Sequence, residues 1–225
     1  MNEPDFQGIE LLPVAGPVRQ LFILLHGAGR DAADMLPLAD ALGAAFPQAA
    51  LLLAEGIAPY DRGDSGRQWF SLQGLSDENR AARVAAAMPA LRGLVRRAQD
   101  RFKVVQPDTA LAGFSQGAIM AMEYSIAHDG SVGRVLAFSG RFATLPDAPP
   151  EFTTLHLLHG SDDPIIPVEH AYAAYERLAQ RQGDATLDVA STVGHELHPA
   201  LVDRALYRLQ TCIPLRTWKH ALTGA

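Results

Sequence analysis

Short apolar runs alternate with longer amphipathic stretches along most of the chain. Residues 21–25 are apolar at every position, which is typical of a strand buried on both faces of a parallel sheet. Residues 186–189 alternate between polar and apolar positions, as in a half-exposed strand. Residues 54–76 and 141–153 follow neither pattern, and loops of this length in a compact domain are usually functional or mobile. Further strands are predicted at residues 50–53, 109–112, 134–138 and 154–158.

Amphipathic stretches predict helices at residues 31–45, 77–102, 118 onwards, 168–182 and 199–210. The 77–102 stretch starts with acidic residues and ends with arginines, which suits the helix dipole. Pro89 lies inside this stretch, so a kink or a break into two helices is expected there. Gly183 is a suitable stop for the fourth helix, and Pro199 is a suitable start for the fifth.

Strands that alternate with helices predict an α/β fold, with a mostly parallel sheet covered by helices on both faces. The chain has 225 residues and is expected to form one domain, residues 1–225, because α/β domains of this length often stay undivided. Residues 9–12 are expected to pair with the 21–25 strand through a turn at residues 15–17.

The composition is that of an ordinary soluble protein, with 48% hydrophobic and 20% charged residues. A formal net charge of −6 argues against a surface that binds nucleic acid or anionic membranes. No apolar stretch approaches the length of a membrane span, and the acidic start of the chain has no feature of a secretory signal. Cys212 is the single cysteine, which excludes an intrachain disulfide. These features predict a cytoplasmic protein.

Residues 113–117 read GFSQG, a Gly-x-Ser-x-Gly pattern between a predicted strand and a predicted helix. This context is typical of a nucleophilic serine on a sharp turn, and the two glycines allow the turn to pack closely. Ser115 is expected in a sparsely populated backbone conformation that costs roughly 1–3 kcal/mol. An ordinary turn serine in a glycine-rich loop is the alternative, so the interpretation depends on the partners available to Ser115.

A nucleophilic serine needs a base, a carboxylate that orients the base, and donors for the oxyanion. In open α/β sheets these groups collect at the carboxyl ends of strands. Two adjacent aspartates follow the 154–158 strand. Asp163 is the favoured acid because the proline after it keeps the chain extended there. Asp162 is the alternative acid, and capping of the next helix is the alternative role for Asp163.

The loop after the 186–189 strand contains two histidines. His195 is the favoured base because it follows a glycine in this loop, whereas His198 precedes Pro199 and is expected to begin or cap the last helix. The order serine, acid, histidine is that of the α/β-hydrolase fold. Structural roles are expected for the other histidines: His156 in the core, His159 in the aspartate loop, and His128, His170 and His220 at the surface or at helix ends.

Backbone N–H groups near Ser115 are the predicted oxyanion donors. One is the N–H of Gln116, at the start of the helix, where the dipole also favours negative charge. The other is expected from the flexible HGAG turn at residues 26–29, with Ala28 as our choice. His26 is expected to anchor this turn.

Taken together, these motifs resemble the phospholipase/carboxylesterase family, which includes acyl-protein thioesterases and small bacterial carboxylesterases. The resemblance rests on LHGAG at residues 25–29, GFSQG at 113–117, HGSDDPIIP at 159–167 and GH at 194–195. It implies a compact α/β-hydrolase fold without a large cap domain. It also implies these roles: Ser115 as nucleophile, Asp163 as orienting acid, His195 as base, and Ala28 and Gln116 as oxyanion donors.

A further segment, GRQWF at residues 66–70, resembles one that lies near the active site in these enzymes. Trp69 and Phe70 are therefore expected to wall the acyl pocket, with core packing of a long loop as their alternative role. Residues 77–89 are closest to a bacterial esterase branch of the family.

The sequence thus predicts a serine esterase that hydrolyses short- to medium-chain carboxylic esters through an acyl-enzyme, without metal or cofactor. An acyl thioesterase or a lysophospholipase is the alternative among enzymes, and a non-catalytic ligand receptor is the alternative from another class. A dienelactone hydrolase is disfavoured because that group carries cysteine in place of Ser115. The expected partner is a small ester, with no nucleic acid and no stable membrane insertion. The oligomeric state is open, with a homodimer as one option.

Overall fold

The computed structural model describes residues 6–217 and residue 221. The expectations for residues 1–5 and for His220 fall outside these residues. Within them the strands are β1 (Gly8–Leu11), β2 (Gln20–Leu25), β3 (Ala49–Ala54), β4 (Ala58–Pro59), β5 (Arg67–Gln68), β6 (Thr109–Phe114), β7 (Arg134–Phe138), β8 (Thr154–Gly160) and β9 (Ala185–Ala190).

A seven-stranded sheet in the order β1-β3-β2-β6-β7-β8-β9 forms the centre of the fold. β1 is antiparallel to β3, and the other neighbours in the sheet are parallel. β4 and β5 form a separate short hairpin. The mostly parallel sheet predicted from the sequence is confirmed.

Helices cover both faces of this sheet: α1 (Leu36–Ala45), α2 (Asp77–Phe102), α3 (Gln116–Ala127), α4 (Glu169–Gln180) and α5 (Pro199–Thr211). One hydrophobic cluster packs α2, α3 and α4 against the sheet, and a second packs α1 and α5 against its other face. β2 contributes to both, since Leu21, Ile23 and Leu25 belong to the first cluster and Phe22 and Leu24 to the second. Burial on both faces explains why this strand is apolar at every position.

Pro89 does not break α2, which runs as one helix from Asp77 to Phe102, so of the two expected outcomes, a kink or a break, the break is wrong. Pro89 removes a helix hydrogen bond to the carbonyl of residue 85. Both Pro89 and Ala85 are exposed, so that carbonyl can bond water instead. The buried positions of the helix continue past the proline, with Met88 before it and Leu91 after it.

The first strand pairs with a different partner from the one the sequence predicted. β1 lies antiparallel to β3, with Gly8 opposite Ala54 and Leu11 opposite Leu51, so the expected pairing with β2 is wrong. β2 lies between β3 and β6, and both of its edges are therefore occupied. Gly16, with φ of 83°, lies in the predicted turn at residues 15–17.

Both long irregular stretches begin where strands of the sheet end, after β3 and after β7. The first contains the β4–β5 hairpin, which bonds to the turn after β2. Gly29 N–H donates to the Arg67 carbonyl, and Arg67 N–H donates to the Arg30 carbonyl, each at 2.8 Å. The loops that surround the predicted site thus meet at the carboxyl edge of the sheet. Among the described helices, none has the length and apolar character needed to span a bilayer.

Candidate active site

Ser115 lies on a sharp turn between β6 and α3, with φ of 55° and ψ of −116°. This positive φ is unfavourable for a residue with a Cβ. The turn is held by a 2.9 Å hydrogen bond from Ser115 N–H to the carbonyl of Phe138. A Cβ on Gly113 would lie 2.3 Å from the backbone of Gly117, and one on Gly117 would lie 2.0 Å from the carbonyl oxygen of Leu25. Only glycine fits at either position.

The side chains of Ser115, His195 and Asp163 form one continuous hydrogen-bonded line. His195 Nε2 lies 2.9 Å from Ser115 Oγ, and His195 Nδ1 lies 2.7 Å from Asp163 Oδ2. An ionised carboxylate only accepts, so Nδ1–H is the donor to Asp163 and Nε2 is free to accept the Ser115 proton. The structure therefore brings together the three side chains that the sequence singled out from separate strand ends.

Asp163 is buried, with its side chain 0% exposed, and is held by several donors. Its Oδ1 accepts from the N–H groups of Ile165 and Ile166, each at 2.9 Å. Burial raises the pKa of Asp163, but hydrogen bonds from His195, Ile166 and Ile165 outweigh this effect and hold that pKa below its usual value. The carboxylate thus stays charged beside His195. The alternative acid, Asp162, instead accepts from the neighbouring Ser161 hydroxyl at 2.6 Å.

Two histidines near the site have the supporting roles that the sequence predicted. His159 Nε2 donates to the Ile166 carbonyl at 2.7 Å and also lies 3.3 Å from Asp163 Oδ2, so it fixes the aspartate loop. His198 caps α5, where its Nδ1 accepts from Ala200 N–H at 3.2 Å. The His195 ring packs against Phe114, with centroids 4.9 Å apart.

The HGAG turn lies directly against the nucleophile. A Cβ on Gly27 would be 3.3 Å from the Cβ of Ser115. His26 anchors the turn, because its Nδ1 donates to the Gly27 carbonyl at 2.7 Å and its Nε2 accepts from Gly56 N–H at 2.9 Å. Burial lowers the pKa of His26, which keeps the ring neutral in this pattern. Within residues 6–217, neither Ala28 N–H nor Gln116 N–H donates to a protein acceptor, so both are available to a ligand.

The Gln116 side chain connects the nucleophile turn to the first long loop. It is 3% exposed, and its Oε1 accepts from Trp69 N–H while its Nε2 donates to the Phe70 carbonyl, both at 2.7 Å. The Trp69 indole N–H donates to the His26 carbonyl at 2.9 Å. Trp69 and Phe70 are only 2% and 5% exposed. They lie next to the site, but here their surfaces are mostly covered by protein.

Sequence reasoning missed the Gln116 side-chain contacts and a second group, in which Arg80 and Arg141 both contact Asp77 and Arg141 also contacts His170. A charged residue just after a strand end was the available signal for Arg141. Among the described residues, no group of three or more His, Cys, Asp or Glu side chains is arranged to hold a metal ion.

Comparison with known proteins gives consistent similarities. Residues 9–213 match the family model described as Phospholipase/Carboxylesterase. Esterase YpfH of Escherichia coli (strain K12) is 41% identical over 208 residues, which are 92% of this chain and 89% of that protein. Acyl-protein thioesterase 1 of Eremothecium gossypii is 27% identical over 88% of this chain and 90% of its own. The crystal structure of esterase PE8 superposes with a TM-score of 0.84 at 26% identity, over 92% of this chain and 98% of its own.

Proposed function

We propose that Ser115, His195 and Asp163 are the catalytic residues of this chain, which belongs to the phospholipase/carboxylesterase family of α/β hydrolases. The chain is an esterase of the serine hydrolase type. We further propose short- to medium-chain carboxylic esters as its substrates. The observation that carries the proposal is the hydrogen-bonded line from Ser115 Oγ through His195 to Asp163, at 2.9 and 2.7 Å.

The reaction follows from this geometry in two halves. Ser115 Oγ attacks the ester carbonyl while His195 Nε2 takes the hydroxyl proton, and the resulting imidazolium is stabilised by Asp163. His195 then gives this proton to the leaving alcohol, and the acyl group stays on Ser115. In the second half, His195 takes a proton from water, the water oxygen attacks the acyl carbonyl, and collapse of the intermediate releases the acid and regenerates Ser115.

Negative charge develops on the carbonyl oxygen in both halves. The N–H groups of Ala28 and Gln116 are our proposed donors to this oxyanion. Gln116 follows Ser115 in the chain, Ala28 follows Gly27, whose Cβ position would be 3.3 Å from the Ser115 Cβ, and neither N–H is bonded to a protein acceptor within residues 6–217. Gln116 also begins α3, so the positive end of the helix dipole faces the same oxygen. Loss of one such donor typically costs about 3–4 kcal/mol of transition-state stabilisation.

The acyl group and the leaving group are identified by turnover of a substrate panel. We expect p-nitrophenyl esters of short to medium acyl chains to be hydrolysed, and Ser115→Ala to lose this activity while keeping its fold. Ser191→Ala, at an exposed serine, is the matched control and should keep full activity. Full activity of Ser115→Ala would contradict the assignment, and a wild-type protein that binds esters without turnover would favour a receptor.

An acyl thioesterase is the second candidate, because a relative named acyl-protein thioesterase 1 is 27% identical to this chain. The same three side chains can attack an ester or a thioester carbonyl. Acyl-CoA thioesters tested beside p-nitrophenyl esters of equal chain length distinguish the two, and turnover of thioesters alone would replace the esterase proposal. A lysophospholipid in the same panel tests the remaining alternative, a lysophospholipase. A cytoplasmic location and a homodimer stay predictions.

A further inference from the structure

Two arginines from separate elements meet at one carboxylate near the candidate site. Arg80 Nη2 lies 3.1 Å and Arg141 Nη2 lies 3.4 Å from the same oxygen, Asp77 Oδ1. The two arginine side chains are only 16% and 20% exposed, whereas the Asp77 side chain is 74% exposed. Two mostly covered cations therefore share one solvent-exposed anion.

This arginine pair lies at the same edge of the sheet as Ser115. Arg141 follows β7 after two residues, and the last residue of β7, Phe138, accepts the hydrogen bond from Ser115 N–H. Three residues of chain reach at most about 11 Å, so the Cα of Arg141 lies within that distance of Phe138. A Cβ on Gly140 would be 2.5 Å from the Cβ of Ala118, which places this segment beside the first turn of α3.

Loops from both sides of the site end at the pair. Asp77 begins α2 directly after the segment that Gln116 holds at Trp69 and Phe70. His170 lies at the start of α4, after the loop that carries Asp163, and its Nε2 lies 3.2 Å from Arg141 Nη1. The pair and its contacts therefore join the start of α2, the loop after β7 and the start of α4.

The hydrogen bonds of the two guanidinium groups are unequal. Arg141 uses Nη2 on Asp77, Nη1 on His170 and Nε on the Phe142 carbonyl at 3.2 Å. Arg80 bonds Asp77 through Nη2 alone, and its buried Nε has no partner among the described residues. An unpaired donor on a mostly buried cation is unfavourable unless another acceptor reaches it.

Among the residues that the structure describes, the charges in contact within this cluster sum to +1. Arg80 and Arg141 are cations, and Asp77 is an anion whose pKa is lowered chiefly by its hydrogen bond with Arg80 and then by the Arg141 charge. Burial, and then the Arg141 charge, lower the pKa of His170, so its ring is neutral near pH 7. One further singly charged anion would balance the cluster.

We propose that Arg80 and Arg141 form a carboxylate-binding subsite, so that the preferred substrates are esters whose acyl chain ends in a carboxylate. This inference rests on the proposed esterase function, because the subsite selects among substrates of Ser115. A carboxylate carries a single negative charge and matches the fork of a guanidinium. A phosphate monoester carries about −1.5 to −2 at pH 7 and would exceed the charge of the cluster.

Asp77 contacts both arginines of the proposed subsite, and its high exposure leaves it able to move aside. This arrangement separates a binding role from a purely structural one. If Asp77 competes with substrate, Asp77→Asn should strengthen binding of a carboxylate. If the cluster only joins α2 to the loop after β7, the same substitution should weaken the fold and improve nothing.

The test compares p-nitrophenyl octanoate with p-nitrophenyl hydrogen suberate, which have acyl chains of equal length and differ in the terminal carboxylate. We expect Arg80→Gln and Arg141→Gln to lower kcat/KM for the suberate ester about tenfold or more through KM, and to change the octanoate ester less than twofold. Asp77→Asn should raise kcat/KM for the suberate ester alone. Arg96→Gln, an exposed arginine on the same helix about 24 Å away at 1.5 Å per residue, is the charge-matched control and should change neither.

Several results would overturn the subsite: equal losses on both esters, an Arg96→Gln effect equal to that of Arg141→Gln, or no gain from Asp77→Asn. If Arg141→Gln does not fold, Arg80→Gln and Asp77→Asn decide the question. Failure of the esterase function would appear differently, as no turnover of either ester by the wild-type protein.

In that case, calorimetric binding to the Ser115→Ala protein decides on the subsite alone. Monomethyl suberate should bind and lose its affinity in Arg80→Gln, and absence of binding would reject the subsite. Tighter binding of glycerol phosphate than of monomethyl suberate would reject the carboxylate class.

Discussion

The side-chain oxygen of Gln116 accepts a hydrogen bond from the backbone N–H of Trp69 at 2.7 Å, across 47 residues of sequence. The amide nitrogen of Gln116 donates to the next carbonyl, that of Phe70, at the same distance. The side chain thus bonds the backbone of two successive residues of the loop. Because the backbone N–H of Gln116 is the proposed oxyanion donor, one residue connects the oxyanion site to the loop beside it.

Replacing this side chain should affect both stability and activity. Gln116→Leu leaves a buried N–H at Trp69 and a buried carbonyl at Phe70 without partners, at about 1–3 kcal/mol each. We expect urea unfolding to show a loss of about 2–6 kcal/mol, with kcat reduced less than in Ser115→Ala because the backbone donor remains. Gln106→Leu removes two hydrogen bonds to carbonyls, of Val132 and Phe152, away from the site. Gln106→Leu should lower stability and leave kcat unchanged. A loss of kcat equal to that of Gln116→Leu would refute the proposed connection between the Gln116 side chain and the oxyanion site.

The close packing of the nucleophile turn predicts that Gly117→Ala is not tolerated. Its new Cβ would lie 2.0 Å from the Leu25 carbonyl oxygen, which belongs to the central strand β2 and cannot move aside. We expect no soluble folded protein, or one destabilised by more than about 3 kcal/mol. Gly43 lies in helix α1, and a Cβ there would be 3.4 Å from the Leu51 side chain, an ordinary contact distance. Because alanine favours a helix more than glycine does, Gly43→Ala should show unchanged or slightly higher stability in thermal unfolding. A stable, active Gly117→Ala protein would contradict the turn described here.

The orienting acid can be tested by comparing two neighbouring aspartates. Asp163→Asn keeps the shape of the side chain but removes the charge that fixes the His195 tautomer, so kcat should fall by about 10³–10⁴. Asp162→Asn should stay within a few-fold of wild type, because among the described residues that carboxylate bonds only its neighbour Ser161. Steady-state kinetics on one p-nitrophenyl ester measures both. A larger loss for Asp162→Asn would exchange the roles of the two aspartates.

Buried His156 predicts how stability depends on pH. Burial, and then the Arg134 charge, lower the pKa of His156 from 6.5 to about 3. Below about pH 6.5, His156 is protonated in the unfolded chain but stays neutral in the folded chain. The free energy of unfolding therefore decreases as pH falls from about 6.5 towards 3, by up to about 1.4 kcal/mol per pH unit. In His156→Leu the loss between pH 6.5 and 4.5 should be smaller by about 2 kcal/mol, as measured by urea unfolding at both values. Parallel pH profiles of the two proteins would show that His156 does not supply this dependence.

The pattern of apolar residues was sufficient to predict the layers of the fold. A strand buried on both faces, such as β2, must be apolar throughout, and this constraint is local. The partner of β1 was predicted wrongly because pairing depends on which sheet edge is free after the rest has folded. The break offered as one outcome at Pro89 was wrong for a similar reason, since the effect of a proline depends on which side of α2 faces water.

In the candidate site, too, some contacts could be predicted from the sequence and others could not. The sequence could predict that Ser115, Asp163 and His195 lie together, because each follows a strand and the carboxyl ends of parallel strands meet at one edge. Two other contacts could not be predicted, the hydrogen bond between Gln116 and Trp69 and the contact between Arg141 and His170. They join residues that are 47 and 29 positions apart, respectively, and involve loops, where no periodicity of the sequence indicates a contact. The proposed substrate selection rests on such contacts, which is why the sequence offered stronger grounds for the chemistry than for the substrate.

Mass spectrometry of the protein after reaction with a fluorophosphonate tests the central claim most directly, because this reagent forms a stable bond with a serine that an adjacent base has activated. The geometry of Ser115 and His195 predicts a single adduct, located on Ser115 by peptide mapping and strongly reduced in His195→Ala. Ser115→Ala should take up no reagent. An adduct on another residue, or unchanged ester hydrolysis by protein fully labelled elsewhere, would contradict the assignment of Ser115 as the nucleophile.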